Sequence, residues 1–147
     1  QKIANKQNKL QKAEAANHIE ITLTDNKGKQ QSLTSLKGKV VLLDFHVFST
    51  QESTKRIMQM RDIYDKYHDM GLEIFQVSLD PDQHFWKTQT DALPWISVND
   101  PDGINSRTLL LYNVQSIPTF FLINKKNELV KRDSQIKDLD AEIKMLL

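Results

Sequence analysis

Between Asp44 and Ser53 the chain gathers a carboxylate, an imidazole and two hydroxyls, Asp44, His46, Thr50 and Ser53, with Ser49 and Glu52 among them. A serine or threonine becomes a nucleophile only beside an oriented base. The nearest histidine in sequence, His46, belongs to the apolar run that precedes the hydroxyls. A local structural role accounts for these residues better. Ser49-Thr50-Gln51-Glu52 fits the S-x-x-E capping box, with Ser49 as N-cap and Glu52 as the third helical residue, worth about 1 kcal/mol. Contact with an anion or ligand is the second reading, and hydroxyl catalysis the last. A lone buried carboxylate is costly unless hydrogen-bonded or protonated. Asp44 is therefore expected near a strand end, satisfied by water or a neighbouring lysine.

The elements that must position these groups are legible around them. Val40 to Val47 is mostly apolar and β-prone, as in a parallel strand covered on both faces, and a helix start follows at once. Ile57, Met60, Ile63, Tyr64 and Tyr67 recur at helical spacing, and Met70-Gly71 ends that pattern. Leu72 to Leu79 predicts a second strand, joined to the first by a right-handed crossover. Asp80-Pro81-Asp82 then predicts a helix start, its acids suited to the positive helix end. Gln83 to Thr90 and Ser106 to Leu111 predict helices, and Leu93 to Val98 a short extended run. Residues 120–123 and 128–131 flank Asn124-Lys125-Lys126-Asn127 and predict a hairpin. Ile136, Leu139, Ile143, Met145 and Leu146 give a closing helix its buried stripe. At the other end, residues 1–17 are polar and read as a linker or an N-terminal helix. Ile19, Ile21 and Leu23 alternate as a half-buried strand before the Asn26-Lys27-Gly28 turn.

Composition limits the function. The chain has 147 residues, 39% of them hydrophobic, enough for one domain with a core that needs neither disulfides nor a structural metal. Twenty Lys and Arg against 19 Asp and Glu leave a net charge of +1, which gives no case for nucleic acid or an anionic membrane as partner. No apolar run approaches the roughly 20 residues of a membrane span. His18, His46, His68 and His84 are scattered without close ligand spacing, and no cysteine is present, so no metal site is expected. The glycines are isolated, no phosphate loop is formed, and no cofactor is expected. Phe85, Trp86 and Trp95 read as core rather than as the rim of a binding surface. A start at Gln1 leaves room for a removed signal peptide or a further domain upstream.

Three stretches in register resemble the ResA/TlpA-like branch of the thioredoxin superfamily, related to the AhpC/TSA group. Asp25-Asn26-Lys27-Gly28-Lys29 followed by Ser32 to Lys39 resembles its D-x-x-G-K and S-L-x-x-L-K-G-K lead-in. Val40 to Phe45 resembles V-V-L-L-D-F, which in that superfamily runs into W-A-x-W-C-x-x-C. Tyr112 to Ile123 resembles Y-x-V-x-x-x-P-T-x-F-L-I. The resemblance implies an α/β, three-layer α/β/α sandwich with a mixed central sheet and an added N-terminal β-hairpin, spanning residues 18–147. It implies thiol-disulfide exchange as the family activity, a proton-carrying role for Asp44 and a cis Ile117-Pro118 peptide. It also implies a groove formed by Phe48, Ser49, Thr50 and Ile117, where an extended peptide pairs with the Ile117 backbone. Here His46 and Ser49 stand where the tryptophans would be, and Thr50 and Ser53 where the cysteines would be. The expected function is thus a redox-inactive module that binds a protein or extended peptide in the periplasm or cell envelope. The alternatives are an oxidoreductase using a thiol lent by a partner or an upstream domain, and a purely structural module.

Overall fold

The computed structural model describes residues 20–147. The linker or helix expected over residues 1–17, and the strand residue Ile19, lie outside them. Strands β1 (Thr22–Thr24) and β2 (Gln30–Ser32) pair antiparallel as a separate two-stranded hairpin. Its turn is fixed by the Asp25 carboxylate, which accepts from the amides of Lys27 and Lys29 and from the Gln31 side chain, each at 2.9 Å. Gly28 completes the turn at φ 84°, a backbone conformation that a side chain disfavours.

Five strands form the main sheet: β3 (Val40–His46), β4 (Leu72–Ser78), β5 (Ile96–Asn99), β6 (Thr119–Ile123) and β7 (Leu129–Arg132). Their order is β5-β4-β3-β6-β7, with β3, β4 and β5 parallel and β6 and β7 antiparallel to their neighbours. The central strand β3 is buried along its whole length. Its side chains alternate. Val41, Leu43 and Phe45 pack with Ile21, Leu33, Leu109 and Phe121 on one face. Val40 and Leu42 pack on the other face, against helix α1 (Glu52–Tyr67) and helix α4 (Leu139–Leu146), through Met60, Ile63, Tyr67 and Ile143. Period-2 alternation carries Asp44 and His46 onto this second face. A sheet packed by helices with its central strand covered on both sides is the sandwich that the family resemblance implies.

Helix α2 (Gln83–Thr90) and the short α3 (Arg107–Leu111) complete the helices among the described residues. Ser106 caps α3 through the Thr108 amide. The expected Val40 to Val47 strand ends one residue earlier, at His46. Met145, placed by its spacing on a buried stripe, is 79% exposed; within α4 only Leu139 and Ile143 are buried, and Ile136 lies before the helix starts. Trp86 and Trp95 are both buried.

Candidate functional site

Strand β3 ends in the turn that leads to α1, and the turn is held from below. The Asp80 carboxylate, 2% exposed, accepts from the Phe48 amide through both oxygens at 3.1 and 3.0 Å and from the Ser78 hydroxyl at 2.7 Å. The Asn99 side-chain amide donates to the Asp80 carbonyl at 3.0 Å. Asp80 thus serves the β3–α1 turn and not the start of α2, where Asp82 alone caps by accepting from the Phe85 amide at 3.1 Å. Truncating a buried acceptor leaves its donors unpaired at about 1–3 kcal/mol. Asp80→Ala is expected to cost that much in urea denaturation and to speed exchange of the Phe48 amide; unchanged exchange would show that the turn holds itself.

The capping box expected from Ser49 and Glu52 does not form. Gln51 is the N-cap, its backbone is already helical at φ −65° and ψ −32°, and it has no side-chain cap. The chain winds into α1 through Thr50, whose hydroxyl donates to the Val47 carbonyl at 2.9 Å while the Ser53 amide donates to the Thr50 carbonyl at 3.2 Å. That winding leaves Ser49 outside the first turn and exposed, with Glu52 also exposed. The motif matches locally but the backbone it requires is absent.

Asp44, His46 and Ser53 meet instead. Nε2 of His46 lies 2.7 Å from Oγ of Ser53, and Nδ1 lies 3.2 Å from Oδ2 of Asp44. The latter approach is off the line of an N–H donation, so Nδ1 and the second carboxylate oxygen, Oδ1, have no hydrogen-bond partner among the described residues. Oδ2 accepts from the Gln76 amide at 3.2 Å, and Gln76 accepts from the Trp95 indole at 3.1 Å. Neither a lysine nor a strand-end position satisfies Asp44: it is 1% exposed and faces Gln76 and His46. Exposure is 0% at His46 and 5% at Ser53, and the Phe48 ring lies 4.5 Å from the imidazole. The meeting is tertiary, joining one face of β3 to the first turn of α1. Alternation of Asp44 and His46, with Ser53 on the helix that covers their face, was the available signal.

Beside this cluster the sheet register sets Thr119 against Phe45, so Ile117-Pro118 enters β6 next to the β3–α1 turn. The Ile117-Pro118 peptide is cis, and both residues are half-buried. An open cleft of about 420 Å³ adjoins them, lined by Asn113, Gln115, Ser116, Thr119, Arg132 and Asp133 among others. The Arg132 guanidinium donates to the carbonyls of Tyr112 and Asn113 at 2.7 and 2.8 Å and stacks 5.0 Å above Phe121, which fixes the start of this loop. Burial pushes the Asp133 carboxyl up, and the charge of Asp44 adds to that, outweighing the Arg56 guanidinium 3.8 Å away. No group of three metal-ligating side chains occurs among the described residues.

A mixed β5-β4-β3-β6-β7 sheet, a helix springing from the end of its central strand and a proline loop opposite that junction define a thioredoxin-like domain. Residues 14–132 match the AhpC/TSA family, and the chain belongs to that family, as a ResA/TlpA-like domain. It is 32% identical over 124 residues to the thiol-disulfide oxidoreductase ResA of Bacillus cereus, covering 81% of this chain and 66% of that protein. The chain thus spans about two thirds of that relative's length. A thioredoxin-like protein from Bacteroides vulgatus, known from its solution structure, superposes with a TM-score of 0.83 at 51% identity over 87% of this chain and 84% of the other. The thioredoxin domain of a thiol-disulfide oxidoreductase from the same species gives a TM-score of 0.78 at 26% identity, over 92% and 99% of the two chains.

Proposed function

We propose that this thioredoxin-like domain is redox-silent and binds an extended segment of another protein at the β3–α1 turn and the Ile117-Pro118 loop. The observation that carries the reading is the state of the two cysteine positions: Thr50 donates to a backbone carbonyl and Ser53 is engaged by His46. Thiol exchange needs a thiolate, and an alcohol is too weak an acid to replace it. The half-buried Ile117-Pro118 loop, whose neighbours Ser116 and Thr119 line an open polar cleft, is what supports peptide binding, through main-chain pairing of an added strand. With no mixed disulfide to hold a partner, affinity is micromolar or weaker, about 8 kcal/mol or less. A cell-envelope location belongs to the same proposal and rests on the resemblance to the ResA/TlpA-like branch. Among the described residues no helix is long and apolar enough to cross a membrane.

Insulin reduction by the chain is expected to equal that of dithiothreitol alone. Turnover above that control would restore the oxidoreductase reading, with a thiol supplied from elsewhere. In an NMR titration with extended peptides, shifts are expected at positions 48–53 and 116–119. Shifts clustered around Phe85 and Trp86 would place binding elsewhere, and no shifts would favour a structural module.

A further inference from the structure

Ser53 carries a hydroxyl in contact with a buried base, and peptide binding gives that contact no task. Nδ1 of His46 lies 3.2 Å from Oδ2 of Asp44 and Nε2 lies 2.7 Å from Ser53 Oγ; a carboxylate beside Nδ1 favours the tautomer protonated there, in which the Nε2 lone pair is directed at the hydroxyl. The geometry points to Ser53 as an acyl acceptor, with His46 as its general base and Asp44 as the residue that positions the imidazole, acting on narrow carboxylic esters or thioesters.

Three observations support the assignment. First, the two unpartnered polar atoms at this end of β3, His46 Nδ1 and Asp44 Oδ1, are a donor and an acceptor on the two members of one contact. Nδ1 approaches Oδ2 to 3.2 Å without a hydrogen bond, and a positive charge on the ring favours closing that contact, so the pair is better satisfied once His46 has taken a proton than before. Second, Ser53 lies in the first turn of the 16-residue helix α1, where the helix's positive end favours negative charge developing beside the hydroxyl. Third, the base is shielded: His46 is fully buried beneath the Phe48 ring, where a neighbouring charge acts more strongly than in water. Ser53 is only 5% exposed, so a substrate that reaches its hydroxyl must be narrow and unbranched at the acyl group.

In the step itself Ser53 Oγ bonds to the acyl carbon while its proton passes to His46 Nε2. The imidazolium returns that proton to the alkoxide or thiolate as the bond from carbon to the leaving group breaks, giving acyl-Ser53 and a free alcohol or thiol. Water then attacks with the same proton transfers, releasing a carboxylic acid and the original hydroxyl.

The test uses the full chain and a short alkyl fluorophosphonate, in which an O–P bond forms at serine and the P–F bond breaks with loss of fluoride. Intact mass and peptide mapping are expected to show one adduct, on Ser53, formed about 100-fold faster in the folded protein than in urea. Ser53→Ala is expected to abolish it, and a folded His46→Gln variant to slow it about 100-fold. Hydrolysis of 4-nitrophenyl acetate is expected to follow the same order. No adduct, an adduct at another residue, equal rates in folded and unfolded chains, or a folded His46→Gln that labels as fast as the unsubstituted chain would each overturn the assignment. If His46→Gln does not fold, the folded-against-unfolded comparison decides.

Discussion

Thr50→Cys combined with Ser53→Cys is expected to create disulfide reductase activity in this cysteine-free chain, with insulin turned over at least about tenfold faster than by dithiothreitol alone. The two positions already have the required placement. Thr50 is half-buried at the turn and Ser53 is buried in the first turn of α1, the arrangement of an attacking and a resolving thiol. A sulfur at position 53 falls beside His46 Nε2, where the hydroxyl now sits at 2.7 Å. A thiol is acidic enough to give that nitrogen its proton, and the resulting thiolate is stabilised by the imidazolium and by the helix N-terminus. Its titration is therefore expected at least one unit below the roughly 8.5 of a free thiol. The single variants locate the cause: Ser53→Cys carries the depressed titration, whereas Thr50→Cys, whose hydroxyl faces a carbonyl, shows less. A double variant in which both thiols titrate like free cysteine would mean that the turn no longer presents them to the helix end.

The largest loss of stability is expected from Phe121→Ala. Phe121 is fully buried at the centre of β6, opposite Leu43. Its ring meets Phe45 edge-on at 5.9 Å and Tyr112 at 5.4 Å, with the Arg132 guanidinium above it. Removing a core phenyl costs about 3–5 kcal/mol. A domain of this size holds only about 5–15 kcal/mol in all. The urea midpoint is expected to fall accordingly. Because the same ring supports Arg132, amides of residues 112–116 are expected to exchange faster than the rest of the surviving fold. A loss below about 1 kcal/mol would mean that Phe45 and Tyr112 close over the cavity.

The fold was legible because the signals that define it are local and periodic. Eight residues of β-prone sequence gave β3, helical spacing from Ile57 to Tyr67 gave α1, and Asn124 to Asn127 gave the turn of the β6–β7 hairpin. The site was legible as a place but not as an arrangement. Ser49 and Glu52 satisfy a capping motif by residue type, yet a cap depends on the backbone of Gln51, which residue types do not specify. Asp80 reads as a helix-start acid because Pro81 and Asp82 follow it, whereas its carboxylate reaches 32 residues back to the Phe48 amide. His46 and Ser53 are seven residues apart on two different elements. Their meeting depends on which face of β3 the helix covers, and that follows from the packing of the whole sheet.

The buried polar chain also constrains how such a domain can diverge. It runs from the Trp95 indole through Gln76 and Asp44 to His46 and Ser53, joining the segment before β5 to β4, β3 and α1. Gln76 is hydrogen-bonded on both sides, Asp44 accepts from Gln76 and His46 meets Ser53, so a single apolar replacement at any of the three strands a polar neighbour. A tryptophan at position 46, as in the wider superfamily, would take the partner from Ser53 and crowd Asp44 at once. The five positions are therefore a linked set, and descendants of this sequence are expected to keep or abandon them together rather than one residue at a time.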